Sequence, residues 1–275
     1  MKKIVITGKN SYVGNAMYNY LTTYYDKNYT IDKISIKNIN INNLNLSNYD
    51  VVFHVAGIAH SDFGKINKKK ADKYYKIDTD MTITLANMAK KQNVKQFIFM
   101  SSIIVYGESA PIGVKKNITD KTLPIPNNAY GDSKLKAENG IIKLNDYNFN
   151  VAIIRAPMIY GDNAKGNYKT LQKIALRLPL FPYIKNERSV IKVNKLCEYI
   201  KNIIDNDDSG IFFPQDDEYM NTSTMVKKIA NKYGRHVMLV KGFESLLKLF
   251  SAFVPKINKA FGNLTYDKSL KYIKL

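Results

Sequence analysis

The chain opens with the stretch that decides its fold, Lys2-Lys-Ile-Val-Ile6 followed by Thr7-Gly-Lys-Asn-Ser-Tyr-Val-Gly14. The first five residues predict a short apolar strand, and the run from Asn15 to Tyr25 predicts a helix. Backbone N–H groups at the start of such a helix, together with the helix dipole, bind a pyrophosphate. A strand, a glycine turn and a helix in this order therefore predict a dinucleotide-binding unit in a doubly wound, parallel α/β fold.

The glycine pattern of this unit departs from the usual one at a single position. Gly8 is expected to make the tight turn, and Gly14 to allow close packing of the helix on the strand. Ser11 stands where the middle glycine is usual, and its hydroxyl can compensate by hydrogen bonding to the phosphate. The cofactor contacts predicted here are Gly8, Asn10, Ser11, Tyr12, Val13 and Gly14.

The second expected strand, Ile31 to Ile36, ends without the acidic residue that binds the adenosine ribose of NAD. Ser35-Ile-Lys37 stands there instead, and the gain of a cation favours NADP. The alternative is that Lys37 is one more solvated lysine of a lysine-rich chain. The sequence therefore leaves the cofactor as NAD or NADP.

Residues 38–49 are too few for a helix and a strand, so we expect an abbreviated crossover there. The next strand, 50–56, leads to the predicted cofactor contacts Ala56, Gly57 and Ile58, of which the first two are small enough to lie against a cofactor. His60 follows and could touch substrate, although a lone histidine after a strand is more often a loop residue.

Candidate catalytic residues follow the later strands. Tyr130 and Lys134 are four apart at the start of a predicted helix, and therefore lie on one face of it. A free phenol has a pKa of about 10, and a nearby ammonium group favours its ionised form. Tyr130 could then give a proton to a substrate oxygen. Ser102 comes just after the expected strand 95–100 and faces the same crevice as the glycine turn, so its hydroxyl could donate a hydrogen bond to that oxygen.

Composition limits the classes of function. The chain has 275 residues and a net charge of +19, but only four of its 42 basic residues are arginines. Because base and phosphate recognition favours arginine, a nucleic-acid role is disfavoured, whereas anionic small molecules would be attracted. The single Cys197 excludes an internal disulfide, and we expect no metal site. No signal-like start or long apolar run is present, so we expect a cytoplasmic protein.

Five ordered motifs carry a resemblance that covers residues 1 to about 230. They are Thr7-Gly8…Gly14, Asp50…His54-Val-Ala-Gly57, Ser101-Ser102…Val105-Tyr-Gly107, Tyr130…Ser133-Lys134…Glu138 and Arg155-Ala-Pro-Met-Ile-Tyr-Gly161. In order and spacing they resemble the extended short-chain dehydrogenase/reductases, the NAD-dependent epimerase/dehydratases that act on nucleotide sugars. The likeness is closest to capsule and O-antigen enzymes that reduce UDP-4-keto-6-deoxy-N-acetylhexosamines.

The resemblance implies roles for individual residues. Tyr130 would be the acid-base residue, Lys134 would lower its pKa and hold the nicotinamide ribose, and Ser102 would orient the sugar oxygen. Pro157 would contact the cofactor. Substrate contacts would come from Ser102, Met158, Asn167 and Arg188, with the arginine on the UDP diphosphate. Three positions depart from the family pattern, namely Ser11, Asp78 in place of an asparagine, and Met158 where many 4-epimerases have an asparagine.

We expect a Rossmann-type NAD(P)-binding domain over 1–156 and a smaller α/β substrate-binding region over 157–275, interleaved with the sheet. Residues 189–193 are expected to return to the main sheet as a strand. If the chain follows the family, helices over roughly 70–92 and 128–145 would form the interface of a homodimer. The basic, amphipathic tail 243–264 is expected to dock on the substrate region, with weak peripheral membrane contact as the alternative.

The leading functional hypothesis is reduction at C4 of a UDP-linked 4-keto-6-deoxy-amino sugar. A 4-epimerase of UDP-glucose or UDP-N-acetylglucosamine with tightly held NAD is the alternative that uses the same residues. A nucleotide-sensing module without turnover is a third class, and it is disfavoured because both Tyr130 and Lys134 are present.

Overall fold

The computed structural model describes residues 1–37, 39–58 and 68–275, so that His60 lies outside the described residues. The strands are β1 (Lys2–Thr7), β2 (Tyr29–Ile34), β3 (Val51–His54), β4 (Gln96–Ser102), β5 (Asn117–Ile118), β6 (Asn150–Ala156), β7 (Met158–Tyr160), β8 (Leu180–Pro182), β9 (Val190–Lys192), β10 (Gly210–Phe212), β11 (Met238–Val240), β12 (Thr265–Tyr266) and β13 (Tyr272–Ile273). The α-helices are α1 (Tyr12–Tyr24), α2 (Lys68–Tyr74), α3 (Met81–Lys91), α4 (Ala129–Ile142), α5 (Asn167–Arg177), α6 (Val193–Asp205), α7 (Thr222–Lys232), α8 (Glu244–Ser251) and α9 (Pro255–Phe261).

Seven strands form the main sheet in the order β13-β10-β6-β4-β3-β1-β2. All neighbouring pairs are parallel except β10 and β13. From β1 the chain adds β2 on one side of the sheet, and then adds β3, β4, β6 and β10 in succession on the other side. This reversal opens a crevice at the carboxyl ends of β1 and β3, where open α/β sheets bind ligands. The predicted doubly wound α/β fold is confirmed.

Helices cover both faces of the sheet, which explains why the middle residues of its central strands, such as 97–100 and 151–154, are apolar and buried. One face packs against α3 and α4 through residues such as Leu85 and Ala137. The other packs against α1 and α6 through residues such as Met17 and Ile200. Among the described residues of the predicted abbreviated crossover between β2 and β3, Ile41–Asn43 form a turn of 3-10 helix.

The long helix predicted over 70–92 is present but irregular. Between α2 and α3 the residues Tyr75–Asp80 form a π-helix, in which the Met81 N–H donates to the Lys76 carbonyl five residues back. A π turn inserts an extra residue and rotates the face that follows. Among the apolar residues spaced along this segment, Leu85 is buried, whereas Ile77, Met81 and Met88 are half-buried. The fully buried face instead includes Tyr74, Asp78, Thr82, Leu85, Ala86 and Ala89.

Residues beyond 156 contribute to the sheet and also build a separate cluster. β10 pairs with β6 and β13 pairs with β10. The strand expected to return to the main sheet at 189–193 does not do so. Since β10 occupies the side of β6 that faces away from β4, this segment, β9, pairs instead with β7, which lies immediately after Pro157. The third apolar cluster joins α5, α7 and α9 through Leu171, Val226 and Phe261.

Among the described residues, no helix combines the length and apolar composition needed to cross a bilayer.

Candidate active site

A crevice of about 1270 Å³ opens at the carboxyl ends of β1, β3 and β4. It brings together sixteen of the predicted site residues, while Gly14 lies beneath it. The predicted residues that line it are Gly8, Asn10, Ser11, Tyr12, Val13, Lys37, Ala56, Gly57, Ile58, Ser102, Tyr130, Lys134, Pro157, Met158, Asn167 and Arg188.

The turn between β1 and α1 has the geometry that a dinucleotide pyrophosphate requires. Gly8 has φ +88°, and a Cβ there would lie 2.9 Å from the Ala56 backbone, so only glycine fits. The Ser11 hydroxyl caps α1 by accepting from the Gly14 N–H at 2.9 Å, which leaves its O–H free to donate. A Cβ on Gly14 would lie 3.1 Å from Ile6 and Val55, in keeping with its predicted packing role. The residues present therefore fit a nicotinamide dinucleotide.

Two lysines lie at the end of the crevice that the carboxyl ends of β1 and β2 form. Lys37 lines the crevice together with Lys9, a residue that no sequence pattern indicated, and both side chains are exposed. They follow β2 and β1, whose carboxyl ends are adjacent in the sheet. This end of the crevice, where the adenosine of a dinucleotide is expected, is therefore cationic.

Ser102 and Tyr130 meet in the middle of the crevice. Ser102 is the last residue of β4, and its hydroxyl hydrogen-bonds to the Tyr130 phenol. Tyr130 is the second residue of α4, a helix capped by Asn128, whose side chain accepts from the Gly131 N–H at 2.9 Å. The Tyr74 ring packs edge-on against that of Tyr130, with centroids 5.8 Å apart. The strand end and the helix start thus position the two hydroxyls together.

Lys134 lies one turn farther along α4, with its Nζ 5.9 Å from the centroid of the Tyr130 ring. Its ion-pair partner is Asp78, whose Oδ1 is 3.4 Å from Nζ. The same oxygen accepts from the Ile58 N–H at 3.1 Å. Asp78 is fully buried, and its Oδ2 has no hydrogen-bond partner among the described residues. Gly57 lies against this pair, because a Cβ there would collide with Asp78 Oδ1.

The electrostatics of Tyr130 differ from the prediction. Burial raises the pKa of Tyr130 well above its usual value, the charge of Asp78 raises it further, and the hydrogen bond from Ser102 lowers it. The pKa of Tyr130 is therefore raised in the folded chain, opposite in direction to the lowering expected from Lys134. The ammonium charge that was to favour the phenolate is paired with a buried carboxylate that opposes it.

Basic groups also line the opposite end of the crevice. Arg188 is buried, and its Nη1 donates to Ser109 Oγ and the Lys259 carbonyl, both at 2.9 Å. Burial lowers the pKa of Arg188 to about 10. Lys256 and Lys259 of α9 line the same end. Their spacing of three in a helical, basic tail was the signal that could have identified them from the sequence.

A buried polar network holds α4 beneath the site. Glu138 accepts from the Ser101 hydroxyl and pairs with Arg155, whose Nη2 lies 2.6 Å from Oε2. Arg155 Nη1 donates to Tyr106 Oη at 2.6 Å. The network ties the helix that carries Tyr130 and Lys134 to β4 and β6.

Several known proteins are similar to this chain. The model of the NAD dependent epimerase/dehydratase family matches residues 4–209. A UDP-glucose 4-epimerase of Vibrio cholerae is 32% identical over 189 residues, covering 66% of this chain and 56% of the relative. An N-acetyl-alpha-D-glucosaminyl-diphospho-ditrans,octacis-undecaprenol 4-epimerase of Escherichia coli O157:H7 is 28% identical, covering 60% of this chain and 50% of the relative. The chain thus spans about half the length of these curated relatives.

Solved structures share the fold at low sequence identity. A dTDP-4-dehydrorhamnose reductase from Clostridium acetobutylicum superposes with a TM-score of 0.70 at 22% identity, covering 87% of this chain and 83% of that one. A UDP-glucuronic acid 4-epimerase from Bacillus cereus, solved with NAD, gives 0.71 at 18% identity over 97% and 90%. Because the family model matches residues 4–209, more than half of the chain, the chain belongs to the NAD-dependent epimerase/dehydratase family.

Proposed function

We propose that this chain catalyses NAD(P)-dependent hydride transfer at C4 of a sugar carried on a nucleoside diphosphate. The observation that supports it most directly is the meeting of Ser102, Tyr130 and Lys134 in the crevice that begins at the Gly8 turn. A bound nicotinamide dinucleotide would supply or accept the hydride. The chain's own groups then have to orient the sugar and move one proton at its C4 oxygen.

Tyr130 is the group that moves this proton. Its hydroxyl gives a proton to the C4 oxygen when the sugar is reduced, and takes it back when the sugar is oxidised. Ser102 donates a hydrogen bond to the same oxygen and fixes its position, which matters because that oxygen gains negative charge as hydride arrives. Lys134 holds the cofactor ribose. Arg188, Lys256 and Lys259 surround the end of the crevice where the diphosphate would lie.

Reduction of a UDP-4-keto-6-deoxy-N-acetylhexosamine, in the synthesis of a surface polysaccharide, is the reaction that we place first. Burial raises the pKa of Tyr130, so its phenol stays protonated near neutral pH and is ready to donate to a ketone. Met158 supports the same choice, because an apolar side chain lines the crevice where many 4-epimerases place an amide. Neither the protonated phenol nor the apolar Met158 requires a cofactor that stays bound between turnovers, as the epimerase reaction does.

A 4-epimerase is the second candidate, and the relatives named as 4-epimerases favour it. One assay separates the two. Purified chain is incubated with UDP-sugars and with their 4-keto derivatives, with NADH, with NADPH and with no added nicotinamide. Stoichiometric loss of reduced nicotinamide on a 4-keto sugar supports the reductase. Interconversion of C4 epimers without added nicotinamide supports the epimerase, and binding without turnover of any sugar contradicts both.

Tyr130→Phe tests the role of the phenol in either reaction. We expect turnover to fall by about 10² to 10⁴-fold while cofactor affinity is retained, because general acid-base catalysis contributes that much and the ring remains. Tyr147→Phe is the matched control, since Tyr147 is 94% exposed and lies away from the crevice. An unchanged rate in Tyr130→Phe would remove Tyr130 from the mechanism.

A further inference from the structure

An outward-facing apolar stripe runs along α8 and the turn that follows it. Leu246, Leu249, Phe250 and Phe253 are 48%, 65%, 48% and 79% exposed. Their spacing of three, four and seven places them on one side of the helix, which continues past Ser251 because the Val254 N–H donates to the Phe250 carbonyl at 2.9 Å. Large apolar side chains this exposed and this regularly spaced mark an interaction surface.

The opposite side of α8 already accounts for its contact with the body of the chain. Leu247 packs against the apolar cluster of α5, α7 and α9, and Ser251 is buried. The apolar stripe therefore points away from this contact. The same helix therefore contacts the cluster of α5, α7 and α9 on one side and exposes the apolar stripe on the other.

The charges around the apolar stripe are almost all positive. Between residues 241 and 266 the chain has four lysines and one acidic residue, Glu244. Glu244 is paired with Lys248 at 2.9 Å, while the Lys241 and Lys256 side chains are exposed on either side of the stripe. A second copy of this chain would bring the same lysines face to face and would be repelled. An anionic surface is the complementary partner.

We propose that α8 and the turn to Val254 lie on an anionic membrane surface, with the apolar stripe in the headgroup region and the lysines at its phosphates. A helix with an apolar side and a lysine-rich border binds membranes in this way. Lys256 lies two residues beyond Val254 and lines the substrate end of the crevice. Docking would therefore bring that end of the crevice close to the membrane.

Flotation of the full chain with vesicles tests this surface and needs no enzymatic activity. We expect the chain to float with phosphatidylcholine vesicles that contain phosphatidylglycerol, and several-fold less with phosphatidylcholine alone. Raising the salt from about 0.1 M to about 0.5 M should weaken binding to the anionic vesicles, since it shortens the range of the lysine charges.

The double variant Leu249→Glu/Phe253→Glu should bind anionic vesicles at least about tenfold more weakly, because burying one large apolar side chain contributes that much or more to partition. Leu123→Glu/Tyr147→Glu is the matched control, with the same added charge at two other exposed positions. It should bind within about twofold of the parent, and equal thermal midpoints for both variants would show that the fold is retained.

Three results would overturn the proposal. They are no flotation with any vesicle, equal loss of binding in both double variants, and a change of the stripe variant from a larger to a smaller oligomer in light scattering without vesicles. The first result would show that the chain does not bind membranes. The second would show that the loss of binding comes from net charge alone, and the third would assign the stripe to contact between copies of the chain.

Discussion

Asp78 is the residue whose chemistry most affects the proposed acid-base group. An asparagine at this position could accept the same hydrogen bond from the Ile58 N–H, because its amide oxygen has the shape of Asp78 Oδ1. What the carboxylate adds is a buried negative charge, 3.4 Å from the ammonium of Lys134. That charge opposes ionisation of Tyr130 and offsets the cation that would favour it.

Asp78→Asn should therefore lower the pKa of Tyr130. In the direction that oxidises the sugar, the phenolate is the active form, so the rate rises with pH through this pKa. The rising limb of the pH-rate profile should move to lower pH in the variant, and the measurement is kcat/KM against pH at saturating cofactor. The other ionisable groups that face the phenol, Tyr74 and Lys134, are unchanged by this substitution.

Asp80→Asn serves as the control for Asp78→Asn, since it removes an equal charge from an exposed side chain two residues farther on. Its profile should match that of the parent. A limb that stays in place in Asp78→Asn, or one that moves to higher pH, would show that Asp78 does not govern the ionisation of Tyr130.

At the scale of elements, α4 is the part that the site depends on, because it carries Tyr130 and Lys134 on consecutive turns. The buried ion pair of Glu138 and Arg155 holds this helix in position beneath the site. Both side chains are at most 6% exposed, and Arg155 is further bonded to Tyr106. A pair of this kind is stable only while both charges and their hydrogen bonds are present.

Glu138→Ala should therefore destabilise the chain by about 3–5 kcal/mol, since it leaves a buried guanidinium without its counter-charge. The free energy of unfolding from urea titration is the measurement. Lys195→Met breaks the surface pair with Asp217 and should leave the midpoint unchanged, because both partners are in solvent. A loss in Glu138→Ala no larger than that in Lys195→Met would show that the network does not hold α4.

The elements that the sequence predicted well are those defined by local pattern. β1, the glycine turn and α1 follow one another within residues 2–24, and the apolar strand pattern, the glycine spacing and the helical run identify them. The partner of Lys134 could not be predicted this way, because Asp78 comes from another helix and meets it only after packing. The π-helix at Tyr75–Asp80 has no local signal, and the pairing of β9 with β7 depends on which strand edge is free.

At the scale of the whole molecule, α3 and α4 lie side by side, with Ile83 of α3 packed over Gly140 of α4. Leu135 of α4 packs against the core with part of its side chain and is half-buried. Two such helix pairs could form the four-helix interface that the family resemblance implies. With a net charge of +19 per chain, two copies can associate only where an apolar contact outweighs the repulsion between them.

We therefore predict a dimer, with a mass in light scattering of twice the 31.4 kDa chain. Leu135→Glu should convert it to a monomer, because a carboxylate would be buried in the interface of two already repelling copies. Leu123→Glu adds the same charge to a loop side chain that is 75% exposed, and should remain dimeric. Salt should favour the dimer by screening the repulsion, so a parent chain that stays monomeric at about 0.5 M salt would exclude this interface.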